Sequence, residues 1–369
     1  MPFKTKTHVP YVSLSQEFDP EQPMGRAILH SIREEMKYGR YTLGPAVEKL
    51  EGKWAAICGT KYAIGVNSGT DALILIMKAL GIGSRDIIVV TTPISFVATV
   101  GAIIAAGATV KFVDIDNSHN LDVKQLDIAG SFPICFVHWA GNPANIDQVP
   151  ERSLLIEDAC QAIGANINGK PAGSFGIAAA FSLHPLKNVN IMGDGGMVTT
   201  NDESIAERIR LLRNHGLIDR DTCVRPGVNS RLDTIQALVG LEVLKTLEQT
   251  TVKRRHNALL YDNGLCDLPQ VLIPPRNDTI RHVYHLYQIE VDRRDELLAW
   301  LLSHDIEAKV HYPIPLHLQP GFSFLGYRLG QFPRAEAFAY NHVSLPIHQF
   351  LEDRQIEYVI DCIREFYKR

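Results

Sequence analysis

The sequence predicts an α/β fold in which a large domain with a mainly parallel sheet precedes a smaller C-terminal α+β domain. Between residues 60 and 200, short β-rich runs alternate with helical runs, which is the order of βαβ units. Several of the β-rich runs are apolar throughout, as strands buried on both faces of a parallel sheet should be. After Pro274-Pro275 the pattern changes, which predicts the second domain.

Strands are expected at residues 62–66, 86–91, 109–113, 133–137, 154–157 and 178–183. Residues 70–80 are rich in helix formers, follow Asn67-Ser68 and stop at Gly81, so they predict a buried crossover helix. Residues 98–106 repeat this arrangement. The connections between these parallel strands should be right-handed.

An amphipathic run from Ser230 to Arg254 predicts one long connecting helix. Beyond it, the pattern predicts a strand over residues 285–291, a helix over 294–303, a short strand over 308–311 and a final amphipathic helix. We therefore expect a large domain over residues 1–250, which includes the N-terminal segment, and a small domain over residues 251–369.

The composition argues against several classes of function. The formal net charge of −4 comes from 37 basic and 41 acidic residues spread along the chain, so no surface for nucleic acid is predicted. The absence of a signal-peptide core and of an apolar run of ~18–20 residues predicts a cytoplasmic protein without a membrane span. The 6 cysteines lack the spacing of zinc ligands, so we expect free thiols and no metal site.

The segment Ser68-Gly69-Thr70-Asp71 follows a predicted strand and opens a predicted helix. A helix N-terminus supplies backbone donors and positive potential, which is what a phosphate needs. The same residue types also cap helices that bind nothing. This segment alone therefore leaves both interpretations open.

Two further residues follow predicted strands and suggest a cofactor. Asp158 lies at the carboxyl end of a strand, where ligands collect in open α/β sheets, and a carboxylate there could keep a pyridine nitrogen protonated. Lys187 lies just beyond a buried strand in glycine-rich surroundings, where desolvation makes an amine nucleophilic toward an aldehyde. An isolated example of either residue would more often be a solvated surface group.

Taken in order, Ser68-Gly69-Thr70-Asp71, Glu157-Asp158, Ser182 and Lys187 resemble the DegT/DnrJ/EryC1/StrS family of sugar aminotransferases. These are fold-type I, aspartate-aminotransferase-like enzymes that depend on pyridoxal 5'-phosphate (PLP). The resemblance runs from about residue 41 to the C-terminal helix. Its most specific pieces are the Lys187 segment and residues 213–216, 229–233 and 311–319.

The resemblance implies PLP, with its aminated form PMP, as the cofactor. It assigns cofactor contacts to Gly69, Thr70, Asp71, Phe96, Asp158, Gln161, Ser182, Lys187 and Asn229. Phe96 would stack on the pyridine ring, although a core Phe is the alternative, and Gln161 would lie near the ring hydroxyl. Asn229 would reach the cofactor phosphate of a neighbouring subunit, which implies a homodimer with shared active sites.

The same resemblance makes Lys187 the Schiff-base lysine and Asp158 the partner of the ring nitrogen. Glutamate would donate the amino group, and a nucleotide-linked keto-sugar would accept it, for the biosynthesis of amino sugars and polysaccharides such as lipopolysaccharide. Relatives with His in place of Lys187 are dehydratases, so the lysine indicates transamination.

The expected substrate contacts are His184, Tyr312 and His317. Residues 312–317 resemble the form found in relatives that aminate C3 of nucleotide-linked 3-oxo-sugars, which implies a 3-oxo-6-deoxyhexose as acceptor. Tyr312 and His317 would serve equally well as packing at a domain junction. Trp139 and Asn142 depart from the residues usual in the family and are expected to shape the sugar pocket.

Three alternatives differ from transamination. A PLP-dependent dehydratase or epimerase would keep the cofactor and the substrate class. A non-catalytic sugar-nucleotide sensor would reuse the fold but should lack a catalytic residue, and none is missing. A dinucleotide-binding oxidoreductase would need G-x-G-x-x-G after the first strand, and the sequence does not contain this motif there.

Overall fold

The computed structural model describes residues 7–126, 132–146, 149 and 153–368. The helices are α1 (Leu14–Glu17), α2 (Pro23–Met36), α3 (Pro45–Cys58), α4 (Gly69–Ala79), α5 (Val97–Ala106), α6 (Glu203–Leu212), α7 (Thr234–Val243), α8 (Leu247–Leu265), α9 (Arg294–Ser303), α10 (Pro333–Asn341) and α11 (Asp353–Lys368). The strands are β1 (Tyr62–Val66), β2 (Ile88–Thr91), β3 (Thr109–Phe112), β4 (Ile134–Val137), β5 (Leu155–Asp158), β6 (Asn166–Ile167), β7 (Lys170–Pro171), β8 (Ala178–Ser182), β9 (Gly196–Thr200), β10 (Val271–Leu272), β11 (Ile280–Arg281), β12 (Tyr287–Val291) and β13 (His342–Leu345).

The large sheet has seven strands in the order β1-β9-β8-β5-β4-β2-β3. Strands β3, β2, β4, β5 and β8 pair in parallel, whereas β9 is antiparallel to both β8 and β1. The six strands expected in this part of the chain are all present, with ends displaced by at most two residues. The predicted α/β fold with a mainly parallel sheet is therefore confirmed. Strand β9 was not expected, because its antiparallel pairing depends on two distant strands.

Helices cover both faces of the large sheet. On one face, Leu73 and Ile76 of α4 and Val100 of α5 are buried in a common apolar core. On the other face, Leu50 and Trp54 of α3 pack into a second core with residues of α7. This two-sided burial explains why the strands are apolar throughout rather than alternating.

The predicted connecting helix over residues 230–254 is wrong in its extent. Helix α7 begins only at Thr234, and a single 3-10 turn at Leu244–Thr246 separates it from α8. Residues 230–233 are not helical: the Ser230 amide donates to Arg213 O, and Asp233 is extended and forms a β-bridge with Thr42. The apolar periodicity was the same on both sides of these breaks, so it could not reveal them.

The C-terminal part is built on a second antiparallel sheet of three strands, β10-β12-β13. The expected helix over residues 294–303 is confirmed as α9. The expected strand over residues 308–311 is wrong, since only Lys309 pairs, in an isolated bridge with Ser344. The core here joins residues from Ala258 onward with Val9, so the N-terminal segment also packs on this part. A domain boundary at residues 250/251 stays a proposal, because α8 runs across it.

Among the described residues, no helix has both the length and the apolar content needed to cross a membrane.

Candidate active site

A cavity of about 300 Å³ lies at the carboxyl ends of the parallel strands, between the large sheet and the C-terminal part. The predicted site residues that line it are Gly69, Thr70, Phe96, Asp158, Gln161, Ser182, His184, Lys187 and Tyr312. These residues come from five separate segments of the chain. The parallel strands bring them together because their carboxyl ends meet at one edge of the sheet.

The N-terminus of α4 forms a close-fitting cradle at one end of this cavity. Ser68 caps the helix, and its Oγ accepts from the Asp71 amide at 3.1 Å. A Cβ atom on Gly69 would lie 2.8 Å from Cys160 Sγ and 2.8 Å from Ser182 Cβ, so only glycine allows this approach of helix to strand end. Ser68 thus occupies the Asp71 amide, and the amides of Gly69 and Thr70, which open the helix, are the ones available to an anion.

Asp71 does not line the cavity. Its Oδ2 accepts from the Ser230 hydroxyl at 2.7 Å, on the side of α4 that faces the segment containing Asn229. Ser230 is fully buried, whereas the neighbouring Asn229 is exposed. The structure therefore uses the Asp71 side chain to hold the Asn229 segment, and a direct contact of Asp71 with a cofactor stays a prediction.

Asp158 lies at the end of β5 and is buried, with a relative exposure of 6%. Thr99 Oγ1 donates to Asp158 Oδ2 at 2.6 Å, and the Cys160 amide donates to Oδ1 at 3.2 Å. Ser95 Oγ lies 2.6 Å from Thr99 Oγ1 and completes the chain of hydroxyls. These bonds fix the carboxylate in one orientation at the cavity wall.

The residue before Asp158 supports the site from below. Glu157 accepts the amides of Gly173, Phe175 and Gly176 at 2.7 to 2.8 Å. His138 Nε2 lies 2.9 Å from the second carboxylate oxygen of Glu157. The Ala144 amide donates to His138 Nδ1 at 2.9 Å, so the ring proton is on Nε2 and points to Glu157. The contact between Glu157 and His138 was not predicted from the sequence. The only local indication was the acidic pair Glu157-Asp158 at the end of an apolar strand.

Gln161 is held by the loop that follows β4. The Ala140 amide donates to Gln161 Oε1 at 2.7 Å, so the side-chain NH₂ is the part of Gln161 left for the cavity. A donor at this position is suited to an oxygen on a bound ring. The contact of Gln161 with a ring hydroxyl stays a prediction that this orientation supports.

Lys187 lies in the loop after β8, where its amide donates to His184 O at 2.8 Å. Asn190 holds the same loop, since its Nδ2 donates to Pro185 O and to Glu17 Oε2, both at 2.8 Å. Burial lowers the pKa of the Lys187 amine, while the Cys160 thiol and the Asp158 carboxylate act in the opposite direction. The neutral amine that burial favours is the form that attacks an aldehyde.

Two aromatic rings of the cavity lining, those of Phe96 and Tyr312, lie next to each other. Phe96 is 50% exposed, so the alternative of a core Phe does not fit its position. The Tyr312 ring lies 5.7 Å from it, between centroids. Burial, with the charge of Asp158 as a second cause, raises the pKa of the Tyr312 hydroxyl to about 12. Tyr312 is therefore a neutral hydrogen-bond donor and acceptor at neutral pH.

His184 is the exposed neighbour of Lys187. Its Nδ1 accepts from the Leu186 amide at 3.2 Å, and its own amide donates to Ser182 Oγ at 3.3 Å. Burial and the positive charge of Lys187 lower the pKa of the His184 ring. A substrate entering the cavity would therefore meet a neutral imidazole.

His317 lies outside the cavity, contrary to its expected position among the substrate contacts. Its side chain is fully buried beside Phe112 and Phe332, and Nε2 lies 2.9 Å from Glu336 Oε1. The packing alternative describes this position better. Asn142 is also absent from the cavity lining, and it bonds to Ser118 instead.

Sequence reasoning missed a polar wall contributed by the N-terminal segment and the C-terminal part. Tyr11 and Glu17 line the cavity together with Arg254, His285 and His348. Burial lowers the pKa of Arg254 to about 10, and the charges of Glu17 and Tyr11 oppose this. No motif pointed to these residues, because all five lie more than 60 residues from Lys187 along the chain.

The donor set of the cavity fits a phosphorylated pyridine aldehyde. The α4 cradle with Ser182 would hold the phosphate, Asp158 a protonated ring nitrogen, Gln161 a ring hydroxyl and Lys187 the aldehyde. Gly69 leaves the space that a Cβ atom would fill. Within the described part of the chain, no group of three or more metal-ligating side chains is found.

Comparison with known proteins is consistent with this site. Residues 23–364 match the model of the DegT/DnrJ/EryC1/StrS aminotransferase family. The chain is 39% identical over 374 residues to the Pleiotropic regulatory protein of Geobacillus stearothermophilus, covering 98% of this chain and 99% of the relative. It is 37% identical over 370 residues to the dTDP-3-amino-3,4,6-trideoxy-alpha-D-glucose transaminase of Streptomyces venezuelae, covering 98% and 97%.

A solved structure, S. venezuelae DesV in complex with a ketimine intermediate, matches with a TM-score of 0.93 and 37% identity, covering 98% of this chain and 99% of that chain. The matches therefore extend over both the large sheet and the C-terminal part. With the family model matching nearly the whole chain, the protein belongs to the DegT/DnrJ/EryC1/StrS aminotransferase family.

Proposed function

We propose that this protein is a PLP-dependent aminotransferase that moves an amino group from glutamate to a nucleotide-linked keto-sugar. The observation that carries the proposal is the Lys187 amine, whose pKa is lowered by burial, in one cavity with Asp158 and the α4 cradle. A phosphate cradle alone would suit many ligands. The combination with a nucleophilic amine and a buried carboxylate is specific to PLP chemistry.

When bound, PLP supplies an electron sink that stabilises negative charge on the substrate carbon. The α4 cradle and Ser182 anchor the phosphate end, and Asp158 keeps the ring nitrogen protonated. Lys187 would hold the aldehyde group of the cofactor, and its amine, once free, would be the group that moves a proton to or from the substrate carbon. The same amine would move the proton in the opposite direction when the keto-sugar is bound, so one lysine would serve both halves of the reaction.

The relatives support the substrate class. The S. venezuelae relative is named for a dTDP-linked 3-amino sugar, which agrees with the C3 amination expected from residues 312–317. We propose a nucleotide-linked 3-oxo-6-deoxyhexose as acceptor, with His184 and Tyr312 as its contacts and glutamate as donor. A cytoplasmic location and a role in polysaccharide biosynthesis belong to the same proposal.

We also propose that two copies share their active sites. Large apolar side chains are exposed beside the cavity mouth and on the Asn229 segment, including Phe96, Leu186, Met192 and Val228, which are 43% to 50% exposed. A second copy of the chain would cover them. Asn229 is itself exposed and held in place through its neighbour Ser230, as a residue offered to a partner subunit should be.

Absorption spectroscopy of the protein loaded with PLP tests the catalytic proposal. Wild type should show the visible band of lysine-bound PLP, which glutamate bleaches and a dTDP-linked 3-oxo-6-deoxyhexose restores. Lys187→Ala should lack this band and lose at least about 10³-fold in turnover, because both the nucleophile and the proton carrier are gone. Lys53→Ala, an exposed lysine on α3, is the matched control and should behave as wild type.

The outcomes separate the alternatives. Release of a deoxygenated or epimerised sugar without an amino group would favour the dehydratase or epimerase interpretation. Failure to bind PLP would overturn the catalytic proposal and favour a non-catalytic sensor. The G. stearothermophilus relative is named a regulatory protein, which is the observation that favours this second candidate.

Mixing two inactive variants tests the shared sites. If Asn229 serves the partner's cofactor, a mixed dimer of Lys187→Ala and Asn229→Ala subunits holds one intact site. Random mixing should therefore restore about a quarter of the wild-type sites. The measurement is the activity of the mixture after unfolding and refolding together. If activity stays at the sum of the separate variants, Asn229 acts within its own subunit or not at all.

A further inference from the structure

Trp139 lies behind the cavity, at the start of the loop that follows β4. It is 1% exposed and is not part of the cavity lining. Its indole Nε1 donates to Gln288 Oε1 at 2.8 Å, and its backbone amide donates to Asn120 Oδ1 at 3.0 Å. The indole is thus held in a single position with its only donor satisfied.

Gln288 transmits this anchoring to the segment that carries Tyr312. Its Nε2 donates to His311 O at 3.0 Å and lies 3.2 Å from Ser344 Oγ. Gln288 is itself buried, at 5% exposure, so water does not compete for these bonds. The bond from Trp139 therefore continues, through one amide side chain, to the carbonyl directly before Tyr312.

The indole also touches Tyr312 directly. The two ring centroids lie 6.0 Å apart at an interplanar angle of 64°, which is an edge-to-face contact. The Tyr312 ring also contacts the Phe96 ring, with 5.7 Å between the centroids and an interplanar angle of 43°. Trp139 therefore restrains Tyr312 in two ways, through the backbone by way of Gln288 and through the ring itself.

We propose that Trp139 is a positioning residue that sets the Tyr312 ring against Phe96 and thereby determines how the sugar of the acceptor is received. Tryptophan suits this role because it combines a large ring with an N–H donor. Phenylalanine would keep a ring and lose the donor, and leucine would lose both. The inference rests on the proposed function, since it concerns the keto-sugar half of that reaction.

The two halves of the reaction, measured separately, test this role. For PLP-loaded Trp139→Phe, we measure the concentration of a dTDP-linked 3-oxo-6-deoxyhexose at which the visible band returns at half its maximal rate. This concentration should rise about fivefold to tenfold, which corresponds to the loss of one hydrogen bond. Trp139→Leu should show a larger rise. In both Trp139 variants, the concentration of glutamate that gives half-maximal bleaching should change less than about twofold. Glutamate is smaller than the sugar nucleotide and should make fewer contacts with Phe96 and Tyr312.

Trp300→Phe is the matched control, because its Nε1 donates to Cys362 O at 3.0 Å, away from the cavity. It should lose thermal stability and keep both half-saturating concentrations. Gln288→Met removes the same bond from its other end and also removes the bond to His311 O, so its rise should be at least as large as that of Trp139→Phe. The double variant should lose no more than Gln288→Met alone, because the bond from Trp139 acts through Gln288. This cycle stays informative if Trp139→Leu fails to fold.

Equal losses in both halves of the reaction, or no loss in the sugar half, would overturn the positioning role while the proposed function stands. If wild type itself bleaches with glutamate and fails to restore its band with the dTDP-sugar, the proposed substrate fails, and the inference fails with it. The behaviour of wild type distinguishes these two failures, because wild type restores its band with the dTDP-sugar in the first case and does not in the second.

Discussion

At the scale of single residues, the Asp158 carboxylate shows how much of the site lies in supporting groups. Thr99 and the Cys160 amide each donate to one of its oxygens. The oxygen that accepts from Thr99 would otherwise be a buried acceptor without a partner in the protein. Its orientation, and with it the partner for a ring nitrogen, therefore depends on a threonine that no motif identified.

Replacing Thr99 with valine should weaken PLP binding about tenfold, because the nearly isosteric side chain keeps its shape but loses the bond to Asp158 and the hydroxyl contact with Ser95. The measurement is a titration of the cofactor-free protein with PLP. Thr91→Val is the matched control, since Thr91 Oγ1 donates to Cys135 O at 2.9 Å and has no contact with Asp158. Equal effects of the two substitutions on PLP affinity would show that general destabilisation, and not Asp158, is responsible.

At the scale of elements, the site depends on how closely α4 approaches the end of β8. Gly69 lies against Cys160 and Ser182, and a Cβ on Gly196 would lie 2.2 Å from Ser68 O. Because Gly69 and Gly196 have no Cβ atom, the N-terminus of α4 can pack directly against the end of β8 and the start of β9. The α4 cradle could not form with larger residues at these positions.

Gly69→Ala should therefore reduce PLP affinity by at least about tenfold, because the added methyl group must push α4 away from Ser182. Gly52→Ala is the control within a helix, since a Cβ there meets nothing within 4 Å. It should raise the free energy of unfolding by about 0.5–1 kcal/mol through helix propensity and leave PLP affinity unchanged. Unchanged PLP affinity in Gly69→Ala would show that α4 can shift without harm.

At the scale of the whole molecule, the N-terminal segment ties the two parts of the chain together. Val9 forms a bridge with Ile306, and Glu17 accepts from Asn190 beside the Lys187 loop. His348 Nε2 donates to Pro10 O at 3.1 Å, in a region where burial and the charge of Arg254 lower the pKa of the ring to about 4. The folded protein therefore keeps this imidazole neutral.

This burial predicts a loss of stability in mild acid. The unfolded chain binds a proton at His348 below a pH of 6.5, whereas the folded chain binds it only near 4, so stability is complete above 6.5 and falls as the pH decreases toward 4. Between pH 7.5 and 5.0 the free energy of unfolding should fall by about 2 kcal/mol from this residue alone.

Urea unfolding of His348→Gln at both pH values, at equal protein concentration, checks this prediction. The variant should show a pH dependence smaller than that of wild type by about 2 kcal/mol. His30→Gln, on the exposed face of α2, is the control and should retain the wild-type dependence. An identical dependence in wild type and His348→Gln would contradict the assignment. His311, with a pKa lowered by burial to about 4, adds to the loss in the same direction.

The amino-acid sequence by itself determined the α/β order of the first 200 residues and the positions of Lys187 and Asp158 at strand ends. These features depend on local chemistry: apolar runs mark strands buried on both faces, and the carboxyl ends of parallel strands converge whatever their loops contain. The motif residues in these loops could therefore be placed in one cavity before any coordinates were known.

Only the tertiary structure decided which distant segments face that cavity. It turned Asp71 toward Ser230, buried His317 beside Phe112 and brought Trp139 behind Tyr312. Side-chain periodicity records which face of an element is apolar, and it carries no information about which remote segment covers that face. Contacts across more than 100 residues are selected by the packing of the whole chain, and so the walls of the site had to be seen in three dimensions.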